Sequence, residues 1–479
     1  MIKKIVFVFL ILIIAAGLRL YKLPSSPPGL YPDEAMNGNN VLESLETGDW
    51  KIFYRENFGR EGLFINLQGL SVAAFGNESW ALRLPSTIIG IFTVLGVYLL
   101  AKVLFNNETL ALLASFFLAT SFWHIIFSRI GFRAILAPFF LTWALYFLFK
   151  SLNAKYYKTC AVTGGLFYGL GFHSYIAYRA TPLLIAIAGY FLYKNYSLIR
   201  SNKRIVLAIF TISAILAILP LGIYFFQNPQ DFFGRTASIS IFDSPSPIRA
   251  LALNLLKTAG MFNVAGDFNW RHNLAGRPEL FWPIGICFLV GIFISIKETM
   301  KKCFSPELIL LAWLAIGLLP VILSNEGLPH ALRSIIVIPP VFILSAIGAM
   351  KIYELLKSKL TGRWLPIAGY LFLSLLLFEA YSSYFVRWSE EPRVKTAFAY
   401  QDSVIAKRVN NLPKNQPKYI VVTATNRAIE RDNPISLQSI LFLTKTFTAK
   451  QRSDKNIYYL TTEEFEKTDI PENAFVLTL

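Results

Sequence analysis

Five short stretches of this sequence hold residue types that do chemistry together. The first is Gly29-Leu30-Tyr31-Pro32-Asp33-Glu34-Ala35. Asp33 and Glu34 are adjacent carboxylates, the groups that accept a proton from an attacking hydroxyl. A helix start is the other reading, because acids offset the positive end of a helix dipole. The second is Ser128-Arg129-Ile130-Gly131-Phe132-Arg133. Arg129 and Arg133 stand four residues apart, which places both on one helical face. Two close guanidinium groups repel unless an anion sits between them, either a bound phosphate or the Asp33 and Glu34 carboxylates.

The third stretch is His173-Ser174-Tyr175-Ile176-Ala177-Tyr178-Arg179. Arg179 suits an anion, while His173 equally suits a structural place at a helix end. The fourth is Gly266-Asp267-Phe268-Asn269-Trp270-Arg271-His272-Asn273. Its Gly, Asp and Asn residues suit a tight turn, after which Trp270, Arg271 and His272 present a stacking ring, a cation and an imidazole. The fifth is Gly327-Leu328-Pro329-His330-Ala331-Leu332-Arg333-Ser334. It precedes an apolar run, and a helix N-terminus attracts phosphate. Arg333 is out of place there, since the dipole disfavours a cation, and an anion on that end would account for it.

The elements that position these residues are apolar runs. They fall near 5–20, 84–105, 109–127, 134–149, 159–177, 180–193, 205–226, 280–296, 307–323, 334–355 and 364–381, and most have the length of a bilayer span. Of the 479 residues 54% are apolar and 16% charged, below the roughly one quarter charged in soluble domains. The expected class is an all-α polytopic membrane protein of about eleven helices. The run at 5–20 follows Lys3-Lys4 and reads as a retained signal anchor.

The net charge of +17 often points to nucleic acid. Here the cations fall in clusters between alternate runs: Lys3 and Lys4; Lys150, Lys155 and Lys158; Lys194, Arg200, Lys203 and Arg204; Lys297, Lys301 and Lys302; Lys357, Lys359 and Arg363. These clusters mark the cytoplasmic side, so no nucleic-acid partner is expected and the partner is a lipid bilayer. The N terminus is then inside and the tail outside. From Glu108 to Ser334 the opposite loops hold Arg129, Arg133, Arg179, Arg235, Arg249, Arg271, Arg277 and Arg333 but only one Lys, Lys257. Arg there points to an anionic ligand or to lipid head groups. Cys160, Cys287 and Cys303 belong to apolar runs or their inner ends, so no disulfide framework is expected. The sequence contains no P-loop, CxxC or HExxH.

Two outer loops are long, 21–83 and 227–279. The first carries amphipathic stretches at Ala35–Leu45 and Leu63–Phe75, suited to helices along an interface. The tail is polar, with strand-like runs at Tyr419–Thr423, Ile457–Leu460 and Ala474–Leu477 and a helical pattern at Ile435–Leu443. The expected organisation is a transmembrane module over 1–385 and a small extracytoplasmic α/β domain over 386–479.

The sequence resembles the membrane-integral glycosyltransferases of the GT-C fold. It is similar above all to the bacterial relatives of the dolichyl-phosphate-mannose–protein mannosyltransferases, including aminoarabinose-transferase-like proteins. The resemblance rests on Tyr31-Pro32-Asp33-Glu34-Ala35, Gly59-Arg60-Glu61-Gly62-Leu63, Ser128-Arg129-Ile130-Gly131-Phe132-Arg133, His173-Ser174-Tyr175 and Pro329-His330-Ala331-Leu332-Arg333, and covers about residues 1–385. It implies a polyprenyl-phosphate sugar donor and a hydroxyl acceptor on a glycan, lipid or protein. It also implies transfer with inversion on the outer face of the plasma (inner) membrane. Asp33 would be the catalytic carboxylate and Glu34 its companion. Candidate substrate-binding residues are Glu61, Arg129, Arg133, His173, Tyr175, Arg179, Trp270, Arg271, His272, His330 and Arg333. No cofactor is certain. Some relatives bind a divalent metal ion, for which Glu61, His272 and His330 are the candidates. A lipid-linked-glycan ligase or polymerase would share the lipid phosphate and the outer Arg residues. A secondary transporter would place charges near the midplane within repeated, broken helices, and neither feature is seen.

The Lys distribution generates a topology prediction. A cysteine placed in the tail, Ser453→Cys, is expected to react with an impermeant thiol reagent in intact cells. Labelling only after lysis would reverse the orientation.

Overall fold

The computed structural model describes residues 2–479 apart from 153, 196–202, 239, 244, 303–304, 326, 359–363, 424–428 and 431–432. Arg200, Lys359, Arg363 and Cys303 lie outside the described residues, as do the side chains of Lys194 and Arg235. The helices in chain order begin with α1 (Ile2–Leu20) and α2 (Pro32–Thr47). A short hairpin follows, β1 (Phe53–Tyr54) and β2 (Arg60–Glu61), then α3 (Gly62–Phe75), α4 (Ser79–Phe105), α5 (Glu108–Ala119), α6 (Phe122–Phe127), α7 (Leu136–Lys150) and α8 (Tyr157–Gly171). The series continues with α9 (Thr181–Asn195), α10 (Lys203–Gln227), α11 (Pro229–Ser238), α12 (Pro247–Gly260), α13 (Trp282–Lys301), α14 (Pro306–Ile322), α15 (Ile338–Lys357) and α16 (Trp364–Tyr381).

The apolar runs are largely helical, but the run at 109–127 is divided into α5 and α6, and the run at 159–177 leaves the helix after Gly171. Among the described residues seven helices are long and apolar enough to cross a membrane, while α5 and α14 are shorter apolar helices. The chain is a multi-pass membrane protein. It divides into two compact units, Met1–Tyr21 with Ser86–Trp388 and Lys22–Pro85 with Ser389–Leu479.

In the first unit the helices pack through small residues. A Cβ on Gly165 or Gly169 of α8 would strike the backbone carbonyls of Phe210 or Ala214 in α10. A Cβ on Gly291 of α13 would strike Leu344 of α15, and one on Gly348 would strike Cys287. Lipid tails are as apolar as Leu, so close backbone approach of this kind drives helix association in a membrane.

Two buried arginines tie the ends of these helices together. Arg19, at the end of α1, donates to the carbonyls of Ala119 at 3.0 Å and Leu118 at 3.4 Å, the last residues of α5. It also contacts His124 Nδ1 at 2.7 Å and Ser128 Oγ at 3.2 Å. Arg129 returns the favour to α1, donating to the carbonyls of Leu18, Arg19 and Tyr21 at 3.1, 2.7 and 2.7 Å. Its guanidinium lies 4.8 Å from the Tyr384 ring centroid and 5.0 Å from that of Phe385. The last carbonyls of a helix have no intrahelical donor, and each arginine supplies several.

In the second unit, the first loop and the tail share one core. Leu30, Ala35, Val41, Leu42, Tyr54, Ile65, Val72, Ala81 and Leu82 surround Phe442. A Cβ on Gly38 of α2 would meet the Phe442 ring at 2.5 Å. Asn39 donates to Gln438 Oε1 at 2.8 Å, and Ser439 Oγ donates to the Leu30 carbonyl at 2.8 Å. Gly29, at φ +73°, lies against Tyr400, whose Cα a side chain would meet at 2.7 Å. The expected strands form β3 (Lys418–Val422), β4 (Ile457–Thr461) and β5 (Phe475–Thr478), with β3 central and parallel to both neighbours. The expected helical pattern is a short 3₁₀ turn, Ile435–Leu437, leading into the helix Gln438–Thr444.

The centre of this unit is an ion pair. Arg83 Nε meets Glu34 Oε1 at 2.9 Å and Nη2 meets Oε2 at 2.9 Å, with both side chains fully buried. Arg83 also donates to the carbonyls of Pro27 and Gly29, each at 2.8 Å. Breaking a buried pair leaves an uncompensated charge and costs about 3–5 kcal/mol. Arg83→Met is therefore expected to lower the melting temperature of the purified protein steeply, and Glu34→Gln added to it is expected to recover part of the loss. A single variant that melts like the parent would show the pair to be dispensable.

Candidate active site

Asp33 and Glu34 are the second and third residues of α2, which starts one residue before them; Tyr31 occupies the N-cap position. Glu34 Oε2 accepts from the Tyr31 N–H at 3.3 Å while holding Arg83. The two carboxylates thus differ in setting. Glu34 is buried and braces the turn, whereas Asp33 is half-exposed. Asp33, Asn37 and Asn40 recur at spacings of four and three, so they share one face of α2. Arg60 on β2 reaches that face, donating to Asn37 Oδ1 at 2.6 Å and Asn40 Oδ1 at 2.7 Å.

The hairpin carrying Arg60 and Glu61 depends on its glycines. Gly59 has φ +84° and packs under the Phe53 ring, and a Cβ on Gly62 would strike the Lys51 carbonyl. Glu61 is buried and pairs with Phe53 across the hairpin. These contacts account for the glycines of the Gly59–Gly62 motif.

In the first unit the structure gathers Asp267, His272 and His330. His272 Nδ1 lies 2.9 Å from Asp267 Oδ2, and the His330 Nδ1 atom lies 3.8 Å from the same oxygen. The two imidazole centroids are 5.1 Å apart. The Ala331 N–H donates to Asp267 Oδ2 at 2.9 Å, and the Asn269 N–H donates to Oδ1 at 2.8 Å. Trp123 of α6 fixes the far side of Ala331, its Nε1 donating to that carbonyl at 3.1 Å. The His272 ring sits 5.6 Å from Phe127 and 6.4 Å from Phe132, centroid to centroid.

Burial alone would raise the Asp267 carboxyl, but the bond from His272 and the nearby imidazoles hold it below the usual range. His330 is pushed down to about 3, first by burial and then by His272, Arg333 and Arg271. It is a neutral imidazole at physiological pH. Glu279, whose Oε1 accepts from the Asp267 N–H at 2.9 Å, is pushed well above the usual carboxyl range by burial.

The other sequence candidates have defined partners. Arg333 donates to Ser324 Oγ, and its backbone N–H approaches His330 Nδ1 at 3.4 Å. Arg271 Nε donates to Asn269 Oδ1 at 3.1 Å. Arg133 lies 5.9 Å from the Tyr175 ring centroid, joining two of the five stretches. The Trp270 carbonyl accepts from Trp388 Nε1 at 2.8 Å. His173 Nε2 contacts the Ala217 carbonyl at 2.9 Å, three residues before Pro220, where a proline loosens the helix ladder. Arg179 donates to the Phe232 carbonyl at 2.7 Å and lies 4.2 Å from that ring. His173, Arg179 and Arg129 therefore hold backbone carbonyls. Two residues escaped the sequence reading. Arg83 gives no local signal, since its partner is 49 positions away. Asp267 was read as a turn residue, which it also is, although its place five residues before His272 was a signal.

Comparison with known proteins follows from this geometry. The family model of dolichyl-phosphate-mannose-protein mannosyltransferase matches residues 63–224. A curated relative, the undecaprenyl phosphate-alpha-4-amino-4-deoxy-L-arabinose arabinosyl transferase of Yersinia enterocolitica, is 25% identical over 331 residues, 61% of this chain and 56% of its own. Its counterpart from Proteus mirabilis is 26% identical over 299 residues, 56% of this chain and 51% of its own. The chain thus spans about half the length of these relatives. The structure of ArnT from Cupriavidus metallidurans bound to undecaprenyl phosphate superposes with a TM-score of 0.57 at 13% identity, over 97% of this chain and 90% of that one. The chain has a GT-C fold. The apo oligosaccharyltransferase of Archaeoglobus fulgidus shares this GT-C fold, with a TM-score of 0.55 at 14% identity over 92% of this chain and 64% of that one.

One ligand atom from each of Asp267, His272 and His330 lies within 4.8 Å of the others. An ionised carboxylate and a neutral imidazole suit zinc or a similar divalent ion. The full-length protein is expected to bind Co²⁺ with a visible-band spectrum, and His272→Ala or Asp267→Asn is expected to abolish it. An unchanged spectrum in both variants would place the ion elsewhere.

Proposed function

We propose that this protein is a membrane glycosyltransferase that moves a sugar from a polyprenyl-phosphate donor to a hydroxyl acceptor on the outer face, with inversion. The acceptor class is a glycan, lipid or protein. The N terminus is then cytoplasmic, and the polar tail over 386–479 is extracytoplasmic. The reading is supported by the fold shared with an undecaprenyl-phosphate-bound structure. The observation that carries it is the asymmetry of the acidic pair. Glu34 is locked to Arg83, so Asp33 is the half-exposed carboxylate at the start of α2.

Asp33 takes the proton of the acceptor hydroxyl as that oxygen attacks the anomeric carbon. The bond from that carbon to the phosphate oxygen breaks, and its electron pair leaves with the phosphate. Phosphate needs no proton to leave, so one carboxylate suffices where a glycosidase uses two. It does need positive charge nearby. Arg271 and Arg333, whose charges are both felt at His330, are proposed contacts for an anionic group, and Trp270 offers a face for stacking. Arg129, Arg179, His173 and Glu34 serve by positioning elements. Arg133, Tyr175 and Glu61 remain proposed contacts. An ion held by Asp267, His272 and His330 would supply further positive charge to a bound phosphate.

Asp33→Asn keeps shape and removes the base. General-base catalysis is worth roughly 10²–10⁴-fold, so cell-free transfer from a labelled undecaprenyl-phosphate sugar is expected to fall by that amount, with donor binding little changed. Transfer within a factor of about three of the parent, roughly 0.7 kcal/mol of barrier, would make Asp33 a helix-terminal acid only.

A further inference from the structure

The helices α13 and α16 leave an open groove between them with a volume of about 360 Å³. Its cause lies in the packing. Gly291 and Gly348 draw α13 tightly onto α15, whereas α16 packs the other way, with Phe372 6.0 Å from Phe117 of α5. Trp282 and Phe281 stand on one wall, Leu375 and Phe378 on the other. Trp282 is 65% exposed and Phe378 68%.

The end of the groove is charged. Arg277 is paired with Glu379 and donates to Ser383 Oγ at 2.7 Å. Arg387 also lines it, on a π-helical segment, Ser382–Trp388, that continues α16. Arg387 is exposed, and no hydrogen bond or ion pair to it occurs among the described residues. Two guanidinium groups thus face one carboxylate, leaving a net positive charge. The N-terminus of α13 adds to it, having neither a side-chain cap nor an acidic residue in its first turn, so its partial positive charge is not offset. Trp at the end of a spanning helix marks head-group depth. Apolar walls from the start of α13 and the last turns of α16, with a cationic end at head-group level, match an anionic lipid. The planar guanidinium fork binds phosphate through paired hydrogen bonds.

We propose that this groove is a binding site for one anionic phospholipid of the bilayer, with its phosphodiester on Arg387 and Arg277 and its acyl chains along Trp282 and Phe378. It lies apart from the Asp267, His272 and His330 cluster in residues and in chemistry. Native mass spectrometry of the full chain in detergent, incubated with phosphatidylglycerol or phosphatidylcholine, tests it. One retained phosphatidylglycerol is expected, in preference to phosphatidylcholine. Arg387→Gln is expected to weaken that retention about tenfold, the loss of one charge-assisted contact. Because Arg387 is exposed, this change leaves folding intact. Quenching of Trp282 by brominated phosphatidylglycerol, measured as the difference from Trp282→Phe, gives a second readout in nanodiscs. Equal retention of both lipids, or retention unaffected by Arg387→Gln, would overturn the proposal. One-for-one displacement of the lipid by undecaprenyl phosphate would also overturn it, assigning the groove to the donor instead.

Discussion

A helix that ends within a membrane protein leaves carbonyl groups that water cannot reach. In this molecule arginine answers that demand. Arg19 closes α5 and Arg129 closes α1. Each side chain carries five donors in a rigid fork, so one residue serves several acceptors at once. The exchange between Arg19 and Arg129 fixes where α1 ends relative to α5 and α6. The loop from Ser128 to Phe132 starts from that junction, and Phe132 covers His272. The position of the imidazole cluster thus depends on how two helix ends are satisfied.

The same need gives Arg129 a structural place as well as a chemical one. Cations in outer loops read naturally as receptors for an anion, and the competing reading was lipid head groups. A third sink for positive charge, the negative ends of helix dipoles, leaves no mark in sequence spacing. Arg129 and Arg133 illustrate the point. Four residues separate them, yet one lies on backbone carbonyls and the other near the Tyr175 ring. The helix α6 ends at Phe127 and residues 128–132 are not helical, so no helix aligns the two.

Periodicity made the helices legible, because an apolar run of sufficient length specifies its own structure. The three strands of the tail were legible for the same local reason. The acidic pair was also visible, but its division of labour was not, since Glu34 meets Arg83 only through the folded loop. Asp267, His272 and His330 show the intermediate case. Two of them are five residues apart, while the third arrives from a distant loop whose Ala331 N–H closes on Asp267. Distances along the chain, more than residue type, separate what could be read from what required coordinates.

Phe442 carries a consequence for the order in which the chain is made. The helix bearing Asp33 is made before α4 to α16, but its core stays open until residues some four hundred positions later arrive to fill it. A nascent chain therefore exposes the apolar side of α2 while most of the spanning helices are still being inserted. A segment made after the spanning helices thus completes the core of a segment made before them.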